Sequence, residues 1–158
     1  MYRKILVPLD GSHTSKMGLK EAIRLARNQK ATLRLIHVVD ELVVMPSTEG
    51  AIYLGDMLEV LREAGKRILR DAEAQVRKQG LKAQSLMLET VGARAADLVV
   101  RQAKKWGADI IVLGTHWRRG VRRLVMGSDA EEIVRTASVP VLLVRSRTKP
   151  GAPGRRRR

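Results

Sequence analysis

The chain has 158 residues, enough for one domain with a sizeable core. It has no cysteine, which excludes disulfides, thiolate metal sites and cysteine nucleophiles, and no phenylalanine, so Val, Leu, Ile, Ala and Met must build its interior. A net charge of +15 points to anionic partners, while no apolar run approaches the roughly 20 residues that cross a membrane and the start is too short for a signal peptide. The expected location is the cytoplasm.

Strand and helix patterns then alternate along the chain. Residues 3–9 read as a buried strand around Ile5, Leu6 and Val7. It runs into Asp10-Gly11-Ser12, a turn that opens a helix over 14–28. Leu19, Ala22, Ile23 and Ala26 recur there at helical spacing, and Ser12 or Thr14 can cap it. Residues 31–39 form a second strand, ending in His37-Val38-Val39-Asp40. Pro46, Ser47, Thr48, Gly50 and Gly55 mark a long loop over about 40–55. A long helix follows over 56–79, with Met57, Leu61, Ala64, Ile68, Ala72 and Val76 on one face and Gly80 at its end.

A third strand is expected over 83–89 and a helix over 93–106, stopped by Gly107. Residues 109–113 make a fourth strand, continuously apolar from Ile110 to Leu113 as burial on both faces demands, and Gly114 closes it. Gly127-Ser128 opens another helix that runs to about 137, and 140–145 is a fifth strand. Five strands alternating with helices imply an α/β fold: a doubly wound parallel sheet with helices on both faces. Ligands of such sheets bind beyond the carboxyl ends of the strands, where the strand order reverses.

The pair of glycine sites, Gly114 and Gly127, brackets the loop between the fourth strand and its helix. A helix N-terminus presents free N–H groups and a dipole that favour an anion, and glycine allows close approach. Ser128 adds a hydroxyl for a cap or a phosphate. If strands one and four flank the reversal point, Asp10 can serve a ribose hydroxyl or magnesium, and the backbone at Val38 can meet an adenine edge. Asp10 alone reads first as a helix N-cap or turn residue, and the distant glycine pair shifts the balance toward a ligand. Arg118, Arg119, Arg122 and Arg123 lie in the bracketed loop and suit phosphate, or form a solvated basic face. His13, His37 and His116 are too scattered for a metal site, although His116 can reach phosphate from the loop. The six methionines are expected to fill core gaps.

Taken together, ILVPLDGS, LIHVVD, GADIIVLGTH, the Gly127-Ser128 helix start and VPVLLVR resemble the universal stress protein family, over nearly all of residues 1–146. The resemblance implies a single flavodoxin-like or Rossmann-like domain with strand order 3-2-1-4-5. It also implies a homodimer paired through the last strand, Val141–Arg145. Its ATP-binding members carry G-x-x-G, nine residues, then G-[S/T]. Gly114 matches the first glycine and Gly127-Ser128 the last pair, with the nine residues Arg118 to Met126 between; the second glycine is replaced by Trp117. The implied site is Pro8, Asp10, Val38, Gly114, His116, Trp117, Gly127, Ser128, Asp129 and Ala130, binding ATP or AMP, with magnesium as a companion. Asp129 repels phosphate yet suits a helix start.

Two functions follow. With the indole of Trp117 turned outward, the protein is a regulatory nucleotide-binding module, at most a slow ATPase, since no general base or Walker-type lysine is placed. With the indole in the site, it is a dimeric stress-response interaction module that binds no nucleotide. A third reading rests on charge alone. Residues 147–158 read as a disordered basic tail, and the seven basic residues within 145–158 leave the rest of the chain near +8. Such a tail can attach weakly to nucleic acid, without a motif that reads sequence.

Overall fold

The computed structural model describes residues 1–41, 54–115 and 127–145. The middle of the expected 40–55 loop, His116, Trp117, the four loop arginines and the basic tail lie outside the described residues.

The elements follow one another as β1 (Lys4–Pro8), α1 (His13–Gln29), β2 (Thr32–Asp40), α2 (Leu54–Lys78), β3 (Ala83–Thr90), α3 (Ala95–Trp106), β4 (Ile110–Thr115), α4 (Ser128–Thr136) and β5 (Val141–Arg145). The expected elements are all present, with ends displaced by one or two residues, as fraying termini allow. The five strands form one parallel sheet of order β3-β2-β1-β4-β5.

Alternation along the central strands divides the core in two. Ile5, Val7, Leu33, Leu35, Ile110 and Val112 face one side and pack with Leu19, Ala22 and Ala26 of α1 and Leu69, Ala72 and Val76 of α2. Leu6, Ile36, Ile111 and Leu113 face the other and pack with Ala96, Val99 and Ala103 of α3 and Ile133 of α4. The helices before β3 therefore cover one face and those after it the other. The sheet reverses its winding between β1 and β4, which opens a crevice at their carboxyl ends.

Several polar contacts fix this frame. At the amino end of the sheet, one carboxylate oxygen of Asp109 accepts the backbone N–H groups of Arg3 (2.7 Å) and Lys4 (2.8 Å). It ties the start of β4 to the start of β1. These bonds, from Arg3 first, hold the Asp109 carboxyl below its ordinary value. Trp106, at the end of α3, lies beneath the Arg34 guanidinium at 4.5 Å and the Lys4 ammonium at 5.6 Å.

Candidate functional site

The crevice is a cavity of about 260 Å³ beyond the carboxyl ends of β1, β2 and β4. From β1 and β2 come Pro8, Asp10, Ile36 and Val38; from β4, Leu113, Gly114 and Thr115. The first turns of three helices complete it: Thr14 and Ser15 of α1, Ala95 and Ala96 of α3, and Ser128, Asp129 and Ala130 of α4 with Gly127 before them. All eight described residues expected at the site thus meet around one cavity. His116 and Trp117 lie outside the described residues.

Local chemistry explains how β1 delivers Asp10. The turn after it needs a left-handed residue, and Gly11 supplies it at φ +80°. Asp10 Oδ1 then accepts the Ser12 N–H at 2.9 Å, and Ser12 Oγ caps α1 by accepting the Ser15 N–H at 3.1 Å. Burial pushes the Asp10 carboxyl up, but hydrogen bonds from Ser12 and Ser15 outweigh it and hold the group below its ordinary value. It is an anion at neutral pH. Leu9 is anchored by its N–H to Ile36 O (2.7 Å) and by its carbonyl against His37 Nδ1 (2.7 Å). His37 is therefore a sheet-end brace, on the α2 side, and takes no part in the cavity.

The two glycines of the bracketed loop have different reasons. A Cβ on Gly114 would stand 1.8 Å from the carbonyl oxygen of Thr14 and 2.7 Å from the Ser15 nitrogen. The first turn of α1 rests directly on the backbone of β4, so the protein's own packing demands glycine there. A Cβ on Gly127 would meet nothing within 4 Å among the described residues, at an ordinary φ of −58°. No described residue excludes a side chain at that point. Its lack leaves the start of α4 bare.

Among the described residues, backbone supplies the positive electrostatic contributions to the cavity. No lysine or arginine is among its described lining residues. Neither α3 nor α4 has a side-chain cap, so their terminal N–H groups and dipoles act on the space between them. An ion pair from Arg94 to Glu132 (3.6 Å) joins the two helices beside it. Asp10 and Asp129 are the opposing charges.

Sequence reasoning passed over Thr115. It is 3% exposed, and its hydroxyl is, among the described residues, the one buried side-chain polar atom without a hydrogen-bond partner. It also passed over the α3 turn at Ala95-Ala96, whose only trace is a pair of small residues at a helix start. No cluster of three or more acidic or histidine side chains fit to hold a metal occurs among the described residues. No described helix is long and apolar enough to cross a membrane.

A parallel sheet wound in opposite senses about β1 and β4, with three helix N-termini turned onto the reversal point, defines a doubly wound α/β protein. The universal stress protein family model matches residues 1–145, and the chain belongs to that family. It is 36% identical over 151 residues to the universal stress protein MJ0531 of Methanocaldococcus jannaschii, covering 94% of this chain and 85% of that protein. A crystal structure of a family protein from Burkholderia pseudomallei superposes with a TM-score of 0.74 at 32% identity, covering 90% of this chain and 96% of that one. More distant members share the fold. They include an Archaeoglobus fulgidus protein in complex with dAMP (TM-score 0.62, 23% identity, 90% and 97% coverage) and an Arabidopsis thaliana protein with AMP bound (0.68, 16%, 92% and 93%).

Proposed function

We propose that this protein binds an adenine nucleotide in the crevice and acts as a regulatory stress-response module. The observation that carries the reading is the start of α4 at Gly127, an opening that no described residue requires, turned toward the same cavity as the uncapped start of α3. A cavity near 260 Å³ falls just below the roughly 300–1,000 Å³ of small-molecule sites, so it takes a ring and sugar while phosphates lie along the helix ends. The nucleotides held by the Archaeoglobus and Arabidopsis relatives support the ligand class.

In this reading the adenine lies against the strand end at Val38, above Pro8. The Asp10 carboxylate receives a ribose hydroxyl, or holds magnesium together with the phosphates. The N–H groups of Ser128, Asp129 and Ala130 and the Ser128 hydroxyl take phosphate oxygens, and Gly114 keeps α1 close enough to shape the floor. ATP and AMP both satisfy this arrangement. His116 and Trp117 adjoin it in sequence. Two chains pair through β5, the edge strand, whose Val141 to Val144 are half-buried in the single chain. No residue is assigned to hydrolysis.

Calorimetric titration of the full chain with AMP, with ATP, and with ATP and magnesium tests the reading. Saturable heat for at least one ligand, lost on Ser128→Ala with Asp10→Ala, is expected. Absence of heat from the native chain, with binding gained by Trp117→Gly, would establish the blocked-site module instead.

A further inference from the structure

We propose that the groove between α1 and α2 binds the phosphodiester backbone of nucleic acid without reading its sequence. The groove lies on the face of the sheet opposite α3 and α4. It holds two adjoining cavities of about 210 and 350 Å³, both reached by Gln75 of α2.

Its walls are cationic. Lys16, Lys20, Arg24 and Arg27 line one bank, and Arg67 and Lys78 the other, against a single acidic lining residue, Asp71. The four on α1 are spaced by four, four and three residues, so they form one stripe about 17 Å long at 1.5 Å per residue. Arg24 pairs with Glu21, whereas Lys16, Lys20, Arg27, Arg67 and Lys78 form no salt bridge among the described residues. Lys16, Lys20, Arg27 and Lys78, without an ion-pair partner among the described residues, raise the local potential, and a ligand carrying regularly spaced anions relieves it. A nucleic-acid strand supplies such a series of anions, one phosphate for about every 3.4 Å of duplex axis.

The surroundings select this partner. The exposed large apolar residues among the described ones are Met1, Met57, Val60, Val91 and Val134, and none lines the groove, so nothing there inserts into a bilayer. No aromatic ring lines it either, which leaves bases without a stacking surface and confines contact to the backbone.

Fluorescence anisotropy of a short labelled DNA duplex, titrated with the full chain at a series of salt concentrations, tests the proposal. The triple variant Lys16→Gln, Lys20→Gln, Arg27→Gln changes exposed side chains only and keeps its helix signal in circular dichroism. It should bind about tenfold or more weakly at ~50 mM salt. The slope of log K against log salt should fall by about three, near 0.9 for each phosphate no longer neutralised. The matched triple Arg101→Gln, Lys104→Gln, Lys105→Gln on α3 removes as much charge from the far face and should retain most of the affinity. Equal losses in the two triples would reduce the effect to net charge and overturn the proposal. So would native binding by the groove triple together with complete loss on deleting residues 147–158. A tenfold preference between unrelated duplex sequences, or equal affinity for polyglutamate, would overturn it as well.

Discussion

Replacing Gly114 by alanine probes the contact on which both fold and cavity depend. The added methyl would stand 1.8 Å from Thr14 O and 2.2 Å from its carbonyl carbon, with Gly18 facing the same backbone from the next turn of α1. Carbon and its neighbours rest at about 3.5 Å. The first turn of α1 must therefore withdraw by well over 1 Å, and no flexible side-chain end is available to yield in its place. Overpacking a close-fitted core costs about 1–3 kcal/mol, and a rigid backbone obstacle belongs at the upper end, about 3 kcal/mol. For a chain of this size that lowers Tm by about 6–12 °C. Gly127→Ala, with open space around its Cβ, should lose at most about 1 kcal/mol, the weaker N-cap being its one cost. Urea denaturation of the two variants beside the parent measures both. A Gly114→Ala protein within about 1 kcal/mol of the parent would refute the assignment of that glycine to packing.

Thr115→Val should raise stability by about 1 kcal/mol, because it removes a buried hydroxyl without a partner; thermal denaturation reads this. If that hydroxyl serves a nucleotide, the same variant binds AMP more weakly by calorimetry. Asp109→Asn should cost about 1–2 kcal/mol at pH 7, discounted for partial exposure, as the charge leaves two N–H groups. The folded-state carboxyl lies below its ordinary value of 3.8, so its contribution is complete above about pH 4 and is lost as pH falls through the folded value. The parent's advantage over Asp109→Asn in a pH series of urea midpoints should shrink only on that acid side. Trp106→Leu keeps an apolar body under Arg34 and Lys4 but removes the ring face, and should cost about 1 kcal/mol in the same assay.

Periodicity carried most of the fold. Leu19, Ala22, Ile23 and Ala26 repeat at helical spacing because one face of α1 is buried, and Ile110 to Leu113 run unbroken because β4 is covered on both sides. Strand order was legible only through family resemblance, since local pattern does not specify which parallel strands become neighbours. At the site, Asp10 and Gly127 stood out through turn and helix-start chemistry, which is local. Gly114 stood out for a reason the structure changes: its nearest pressure is Thr14, a hundred residues earlier, which no window of sequence contains. Thr115 was missed because an orphaned hydroxyl is a fact about surroundings; as a residue it looks like any threonine ending a strand. His37, near the end of the second strand in sequence, braces the sheet end through its bond to Leu9 O.

The central position of β1 has a consequence for synthesis on the ribosome. Its partner on one side, β2, arrives within a few dozen residues, but its partner on the other, β4, pairs Ile5 with Ile110 and Leu6 with Ile111. Until that late segment emerges, the nascent chain carries an unpaired strand edge, apolar from Ile5 to Pro8 and open to the wrong neighbour. The Asp109 carboxylate that grips Arg3 and Lys4 is the residue just ahead of the closing strand. Delay in translating that stretch prolongs the exposure, whereas an error beyond Arg145 falls after the gap has closed.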